Sequence, residues 1–192
     1  MIVVLKYSIK DNLDYTKILD KLDVNYSFTL NESIITNASH IIFPDTYNLN
    51  TAIKKMQLMN LFSMLRMIKK PMLGINNGFN LMCNNIVDIQ KNGLGLFSID
   101  TKSCNQIEDS KTKNGQLNIL QKTSFLNGIA KRKITCNLDC SVDRNEFTTS
   151  VIKSKKKEYS LTCEFKNYYS IQMDLSCNEK LFEKLIGNFV KL

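Results

Sequence analysis

The chain has 192 residues, of which 43% are hydrophobic and 23% are charged, so its length and composition indicate one globular domain over residues 1–192. The formal net charge is +8, but the basic residues are scattered apart from a lysine cluster at 153–157. We interpret this cluster as a solvated loop or, alternatively, as a docking patch for an acidic partner. Nucleic-acid binding is not expected, because the sequence has no binding motif and no clustering of arginine with aromatic residues.

The apolar run at the N-terminus is interrupted by Lys6, so no secretory signal is predicted. No apolar stretch approaches the roughly 18 residues that a membrane-spanning helix needs. We therefore expect a cytoplasmic protein whose six cysteines are free thiols. Cys136 and Cys140 are not followed by a second cysteine pair or a histidine, so we predict neither a metal site nor a cofactor.

Short apolar runs alternate with helical patterns up to about residue 85. The runs that predict buried strands are 2–5, 24–29, 40–43 and 72–75. Apolar residues recur at helical spacing over 13–22, where Asn12 is a candidate N-cap, and again over 49–59. Over 61–68 this second helix becomes apolar nearly all round, so its methionine-rich stripe is predicted to be core or, alternatively, a partner surface. The alternation indicates βαβ units and a parallel sheet.

The pattern changes after the Gly93-Leu94-Gly95 turn. Polar turns then separate short segments that predict strands, several of them antiparallel and on one side of the sheet, at 117–120, 134–136, 146–152, 159–165 and 168–173. Residues 181–190 predict a final amphipathic helix. The predicted fold is α/β, a doubly wound and mostly parallel sheet flanked by helices, with an added antiparallel strand region.

Residues 70–81 contain the most informative pattern, because a short apolar strand turns sharply into a helix there. Gly74 and Gly78 bracket the turn in a G-x-X-x-G arrangement that is typical of a nucleophile elbow. In such an elbow the central side chain stands clear beside the first amides of the helix. Here the central residue is Asn76, whose amide has no proton to give up near neutral pH, so the elbow lacks its nucleophile.

Three stretches, in matching order and spacing, resemble the class I glutamine amidotransferases over nearly the whole chain. Residues 1–13 are similar to the opening strand and Y-G-x-G-N-L turn of the glutaminase subunits of imidazole glycerol phosphate synthases. Residues 70–81 resemble their K-P-x-L-G-I-C-L-G-M-Q-L elbow, and 92–96 their G-L-G-L turn. Residues 171–176 and 185–192 resemble their V-Q-F-H-P-E and L-L-x-N-F-L-x-L segments. The resemblance implies the fold predicted above.

The resemblance also implies a triad, in which a thiolate attacks the glutamine side-chain amide, a histidine is the base and acid, and a glutamate orients it. On this sequence the nucleophile falls on Asn76, the base on Asp174 and the orienting acid on Ser176. None of these residues has the required side chain. Because losing a nucleophile or a base alone costs about 10⁶-fold in a triad hydrolase, the substitutions predict a pseudoenzyme.

The family's oxyanion-stabilising P-G-V-G turn falls on residues 44–47, where both glycines are replaced. The implied glutamine-pocket and oxyanion residues are Asp45, Thr46, Asn77 and Gly78. We expect Asp45 to place a negative charge near the position where an oxyanion would develop, which is opposite to what such a site requires. Of the family's P-H-M-G-W region only an aromatic residue, Phe125, is kept.

Structural interpretations also fit the substituted positions. Asparagine tolerates unusual φ/ψ values, so Asn76 suits a strained turn. Ser176 and Glu179 have the spacing of a capping box for the last helix. Asp174 is then a solvated loop carboxylate. His40, the single histidine, is expected to be packed or hydrogen-bonded.

No other cysteine is expected to replace the nucleophile. Cys83 lies seven residues beyond Asn76 on the same predicted helix, roughly 10 Å along its axis, which is too far. Cys177 is closer to the position of the base, but it has no histidine near it in the sequence.

We therefore expect a degenerate glutaminase subunit that has lost glutamine hydrolysis and that docks on or stabilises a (β/α)₈-barrel cyclase subunit, which the resemblance places in histidine synthesis. The alternative is a working glutamine amidotransferase that supplies ammonia to the cyclase through non-standard groups. A third hypothesis is a binding protein for a small amide or anion, which would use the amides near Asn77 and Gly78.

Overall fold

The computed structural model describes residues 1–7, 13–103, 112–137, 142–154, 157–173 and 178–192, which form a nine-stranded sheet, a three-stranded sheet and helices on both faces of the larger sheet. The helices are α1 (Leu13–Lys21), α2 (Glu32–Asn37), α3 (Leu49–Leu58), α4 (Leu61–Met67), α5 (Asn77–Met82) and α6 (Glu179–Phe189). The strands are β1 (Ile2–Leu5), β2 (Tyr26–Thr29), β3 (His40–Phe43), β4 (Met72–Ile75), β5 (Cys83–Ile86), β6 (Lys91–Asn92), β7 (Phe97–Thr101), β8 (Thr112–Ile119), β9 (Arg132–Asn137), β10 (Thr148–Ser154), β11 (Lys157–Phe165) and β12 (Tyr168–Ile171).

The predicted parallel sheet is confirmed, in the order β2-β1-β3-β4-β12. The central strands β1, β3 and β4 are nearly continuous apolar runs because both of their faces are covered. In β1, Val3 and Leu5 pack into the core that also contains residues of α3, α4 and α5. Ile2 and Val4 pack into the core on the other face, with residues of α1 and α6. The sheet is therefore doubly wound.

The predicted antiparallel region is also confirmed, and it extends the sheet on one side in the order β11-β10-β8-β9. Strand β12 joins the two halves, because it pairs parallel with β4 and antiparallel with β11. Buried hydroxyl groups link β10 and β11. The Thr162 Oγ1 lies 2.9 Å from the Thr149 Oγ1 and 2.6 Å from the Ser150 Oγ. These contacts satisfy the hydrogen-bonding groups of buried polar side chains.

The structure corrects the continuous helix that the sequence predicts over residues 49–68. The chain turns between α3 and α4 at Asn60, which has a left-handed φ of 53°. Asparagine tolerates this conformation better than most residues. The methionine-rich stripe is divided by the turn, since Met56 is fully buried whereas the Met67 side chain is 79% exposed. The stripe is thus partly core and partly surface.

The sheet formed by β5, β6 and β7 is absent from the sequence predictions, as is α2. Its order is β6-β5-β7, and it follows α5 directly. The turn after β6 packs back on α5, because the Leu94 N–H donates to the Leu81 carbonyl oxygen at 2.7 Å. Arg66 holds the same turn by donating from Nε to the Leu94 carbonyl oxygen at 2.8 Å. The small sheet therefore supports α5 from its C-terminal end.

The carboxyl ends of β1, β3 and β4 lie side by side because these strands are parallel. The segments that leave them meet at one edge of the sheet, with Tyr7 after β1, Pro44 after β3 and Asn76 after β4. The Tyr7 hydroxyl donates a hydrogen bond to the Pro44 carbonyl oxygen. Open α/β sheets bind their ligands outside the carboxyl ends of the strands, so this edge holds the candidate site.

Candidate functional site

Asn76 lies between β4 and α5 in a strained backbone conformation, with a φ of 47° and a ψ of −113°. These values fall outside the regions that non-glycine residues ordinarily occupy, and such strain is typical of a nucleophile elbow. The Asn76 N–H donates to the Ile171 carbonyl oxygen at 3.0 Å, and the Asn76 carbonyl oxygen accepts from the Phe79 N–H at 2.9 Å. The predicted sharp turn is therefore present, with an amide side chain at its centre.

Gly78 allows the first turn of α5 to approach the end of β3. A Cβ atom on this residue would lie 2.0 Å from the Phe43 carbonyl oxygen and 2.8 Å from the Pro44 carbonyl oxygen. Both oxygens belong to the backbone and cannot turn aside as the tip of a flexible side chain can. Gly78 thus places the amides of α5 against the 44–47 segment.

The Asp45 carboxylate binds the elbow through both of its oxygens. Its Oδ1 accepts hydrogen bonds from the Thr46 N–H at 2.8 Å and from the Asn77 N–H at 3.1 Å. Its Oδ2 accepts from the Asn76 Nδ2 at 3.1 Å. Sequence reasoning placed a negative charge close to the oxyanion position, but it did not predict that this charge would be hydrogen-bonded to the elbow.

The amide of the residue after the nucleophile is one of the two oxyanion donors in an elbow of this kind, and the other comes from a neighbouring loop. In this chain the corresponding Asn77 and Thr46 N–H groups both donate to the Asp45 Oδ1. A developing oxyanion would have to compete with a full negative charge for these donors. The arrangement therefore disfavours acyl transfer from a bound glutamine.

Two further asparagines fix the segment around Asp45. The Asn77 Nδ2 donates to the Thr46 carbonyl oxygen at 2.7 Å. The Asn80 Nδ2 donates to the Asn77 Oδ1 at 3.1 Å and to the Lys102 carbonyl oxygen at 2.8 Å. Sequence reasoning missed Asn80, although a polar residue on a buried apolar helix was an available signal. The network connects the elbow, the 44–47 segment and the end of β7.

Two of the implied triad positions, Asp174 and Ser176, lie outside the described residues, so the structure does not place them. The nearest described contact on that side is the Met173 carbonyl oxygen, which accepts from the Asn76 Nδ2 at 3.4 Å. The predicted capping box is wrong, because α6 begins at Glu179 and its N-cap is therefore Asn178, not Ser176.

The single histidine is remote from the elbow. His40 begins β3 and Asn76 follows the end of β4, so the two residues lie at opposite ends of neighbouring parallel strands. At about 3.3 Å per residue this separation is roughly 16 Å. His40 packs edge-on against Phe189, and burial lowers the pKa of its imidazole. The predicted packed histidine is confirmed.

The candidate replacement thiol is inert in this structure. Cys83 is fully buried, its Sγ donates to the Phe79 carbonyl oxygen at 3.3 Å, and burial raises the pKa of its thiol well above the ordinary value. Cys177 lies outside the described residues. Phe125 is buried against Tyr169 in the core, so its ring has a packing role.

Within the described part of the chain, no three histidine, cysteine, aspartate or glutamate side chains are grouped in a way that could hold a metal ion. None of the helices described there has both the length and the apolar composition needed to cross a bilayer.

Comparison with known proteins agrees with this fold. No protein-family model matches the chain. It is 25% identical over 185 residues to imidazole glycerol phosphate synthase subunit HisH of Blochmanniella floridana, with 94% of each chain covered. It is 23% identical over 197 residues to the subunit of the same name from Bacteroides thetaiotaomicron, with 100% of this chain and 99% of that protein covered.

A solved structure described as a glutamine amidotransferase superposes on 99% of this chain and 97% of its own, with a TM-score of 0.69 and 10% sequence identity. The full-length sequence similarity and this superposition agree with each other and with the elbow geometry. The chain is therefore HisH-like in sequence and has the fold of the class I glutamine amidotransferases.

Proposed function

We propose that the chain is a degenerate glutaminase subunit, a single-domain pseudoenzyme that no longer hydrolyses glutamine and that docks on or stabilises a (β/α)₈-barrel cyclase subunit. The main support for the loss of hydrolysis is the position of the Asp45 carboxylate. It accepts hydrogen bonds from the Thr46 and Asn77 amides and from the Asn76 side chain. The carboxylate thus holds the donors that glutamine hydrolysis would need, while Asn76 supplies no nucleophile.

The thiols and the imidazole whose surroundings the structure describes do not replace the missing groups. Cys83 and Cys163 are both buried, and burial raises the pKa of each thiol, so neither is a ready thiolate. His40 lies at the far end of β3, out of reach of the elbow. The loss of nucleophile, base and oxyanion donors together supports the pseudoenzyme over the alternative of a working amidotransferase.

The proposed cyclase partner and the place in histidine biosynthesis rest on the similarity to HisH subunits, which covers the whole chain. Among the described residues, the elbow and the segments that pack on it keep the fold of such a subunit. Gly78, the 44–47 segment and the Asn80 network give this edge of the sheet a fixed shape even without catalytic groups. A retained surface with a silent site is the pattern expected of a scaffolding subunit.

Glutamate release from glutamine, measured with the cyclase and its nucleotide substrate present, tests the loss of activity. We expect the unchanged protein and Asn76→Ala to release no more glutamate than the blank. The cyclase supplied with ammonium salt instead of glutamine is the positive control, because it shows that the partner is competent. Turnover that survives Asn76→Ala would show that other groups act, and turnover lost on this change would show that Asn76 itself takes part.

Copurification with a (β/α)₈-barrel cyclase subunit tests the docking. We expect a complex at micromolar concentrations and a higher melting temperature for the bound cyclase, because a partner that binds only the folded state stabilises it. Absence of a complex at these concentrations would contradict the scaffolding role.

A further inference from the structure

We propose that Asn76 is a self-modification site, at which the native fold promotes cyclisation of the Asn76 side chain onto the Asn77 backbone nitrogen with release of ammonia. The product is a succinimide, which water opens to aspartate or isoaspartate at residue 76. This reaction is separate from glutamine hydrolysis, because the amide that reacts belongs to the chain itself.

The backbone of Asn76 has the shape that this ring requires. In an L-residue the Cβ is offset by about 120° from the nitrogen around the Cα–C bond. At the observed ψ of −113° the Asn76 Cβ therefore nearly eclipses the Asn77 nitrogen. A five-membered imide is close to planar and needs this eclipsed arrangement. Helices and strands have ψ values far from it, which protects asparagines in regular structure.

One carboxylate contacts both the nitrogen that would attack the Asn76 Cγ and the nitrogen that would leave it. The Asn77 nitrogen, which would attack, donates its hydrogen to the Asp45 Oδ1 at 3.1 Å. The Asn76 Nδ2, which would leave, donates to the Asp45 Oδ2 at 3.1 Å. Asp45 is thus placed to accept the proton of the nucleophile on one oxygen and to deliver a proton to the leaving group from the other.

The steps balance. The Asn77 nitrogen forms a bond to the Asn76 Cγ while its proton passes to Asp45. The Cγ–Nδ2 bond then breaks, and the nitrogen leaves as ammonia after receiving a proton from Asp45. Water adds to either carbonyl of the succinimide and opens the ring, which leaves a carboxyl group. No oxidant or reductant takes part, and Asp45 ends in the protonation state in which it began.

Hydrogen bonds hold the Asn76 side chain through its amide nitrogen and not through its amide oxygen. Its Oδ1 is buried and accepts no hydrogen bond from any described residue. Asn76 is only 7% exposed, so its side chain is packed within the folded chain. Cyclisation releases the Nδ2 as ammonia and keeps the Oδ1 as a carbonyl oxygen of the succinimide, so no hydrogen bond from a described residue to the Oδ1 has to break.

The test compares conversion at Asn76 with conversion at the four Asn-Gly sequences, which begin at residues 77, 92, 114 and 127. Native protein is incubated near neutral pH and sampled over time by peptide mass spectrometry. Loss of the mass of ammonia reports the succinimide, and hydroxylamine cleavage after residue 76 confirms its position. We expect Asn76 to convert first in the folded protein and the Asn-Gly sites to convert first in urea. Asn-Gly conversion in the folded protein with Asn76 intact would overturn the proposal.

Two variants examine the role of the carboxylate. Asp45→Asn keeps the shape of the side chain but removes the base. General acid–base catalysis contributes about 10²–10⁴-fold, so conversion at Asn76 should slow by at least about tenfold. Asn76→Gln is the matched control, because its ring would have six members, and it should show no conversion. An unchanged rate in folded Asp45→Asn protein would contradict the proposed proton transfer.

The pH dependence in the unchanged protein provides a test that does not rely on a variant folding. With an internal base, conversion at Asn76 in the native chain should be nearly constant between pH 6 and 8. In urea, where hydroxide is the base, conversion should rise about tenfold per pH unit, as expected for one proton in equilibrium. Equal pH dependence in the two states would refute the role of Asp45.

Discussion

Gly78 lies so close to Phe43 that a Cβ at residue 78 would come within 2.0 Å of the Phe43 carbonyl oxygen. This contact joins the elbow helix to the end of β3, and therefore decides how near Asn77 comes to Asp45. The stability and the geometry of the candidate site depend on the same glycine.

Gly78→Ala should lower the free energy of unfolding by about 1–3 kcal/mol or more, because the clashing atoms are backbone atoms and the helix must move. Gly187→Ala is the matched control in α6, where the nearest atom to an added Cβ is the Leu22 Cδ2 at 3.4 Å. There the change should be neutral or stabilise by about 0.5–1 kcal/mol, through better helix propensity. Urea denaturation of the two variants measures the difference, and equal effects would contradict the close approach.

Asn188 should be a stabilising residue of α6. Its Nδ2 donates to the Phe125 and Asn127 carbonyl oxygens, both at 2.8 Å, and its side chain is buried. Asn188→Leu leaves these acceptors without their donor, so the free energy of unfolding should fall by about 1–3 kcal/mol. Asn85→Leu removes an exposed hydrogen bond to Asp100 and should change stability by less than about 0.5 kcal/mol. A similar loss in both variants would argue against a special role for Asn188.

His40 should make stability depend on pH near neutrality. Burial lowers the pKa of its imidazole, and the positive N-terminus adds to this. The unfolded chain therefore binds the proton more tightly, so stability is complete above the ordinary pKa of about 6.5 and is lost as the pH falls below it. The buried Nε2 has no hydrogen-bond partner among the described residues, which explains the cost of protonation.

Denaturation between pH 7.5 and pH 5.5 tests this expectation. The unfolding free energy should fall by no more than about 1.4 kcal/mol per pH unit, the limit for one proton. His40→Gln should flatten the dependence in this range, since the chain has no second histidine. If the unfolding free energy of His40→Gln still depends on pH in this range, groups other than His40 cause that dependence.

A thiol introduced at the elbow should be unreactive unless Asp45 is removed. In Asn76→Cys the carboxylate would lie beside the sulfur and disfavour the thiolate. Asn76→Cys combined with Asp45→Gly should be alkylated about tenfold faster or more at neutral pH, since a carboxylate close by raises a thiol pKa by at least about one unit. Peptide mapping distinguishes residue 76 from the native cysteines, of which Cys83 and Cys163 should stay unmodified because they are buried. Equal rates would show that Asp45 does not control this position.

Neither elbow variant should recover glutamine hydrolysis, because His40 is too distant to act as a base. Measurable glutamate release by Asn76→Cys alone would contradict the proposed loss of function.

The sequence was sufficient for elements whose pattern is unambiguous. The runs at 2–5, 40–43 and 72–75 are strands with those bounds, because an apolar run between turn residues has few other solutions. Helix α2 was missed because its six residues bury only Ile35, which leaves no periodic signal. The β5–β7 sheet was missed because polar residues such as Asn84 and Asn85 are indistinguishable from a loop by pattern alone.

The sequence was sufficient to predict where the site lies in the chain, but not which groups contact one another there. The elbow at Asn76 follows from two glycines and a strand, which are local in the sequence. The pairing of Asp45 with the Asn77 amide is a tertiary contact across 32 residues, and only the packing of α5 on β3 produces it. The break at Asn60 depends on a left-handed φ that propensity does not reveal.

Strand β12 occupies a place between β4 and β11, although β4 is made far earlier in the chain. At about 5–20 residues per second, a ribosome would need roughly 5 to 20 seconds to synthesise the stretch from β4 to β12. Throughout that interval the nascent chain carries an open strand edge that invites association with other chains. A product terminated before residue 168 would keep this edge permanently, and would be a substrate for chaperones and proteases rather than a smaller version of the protein.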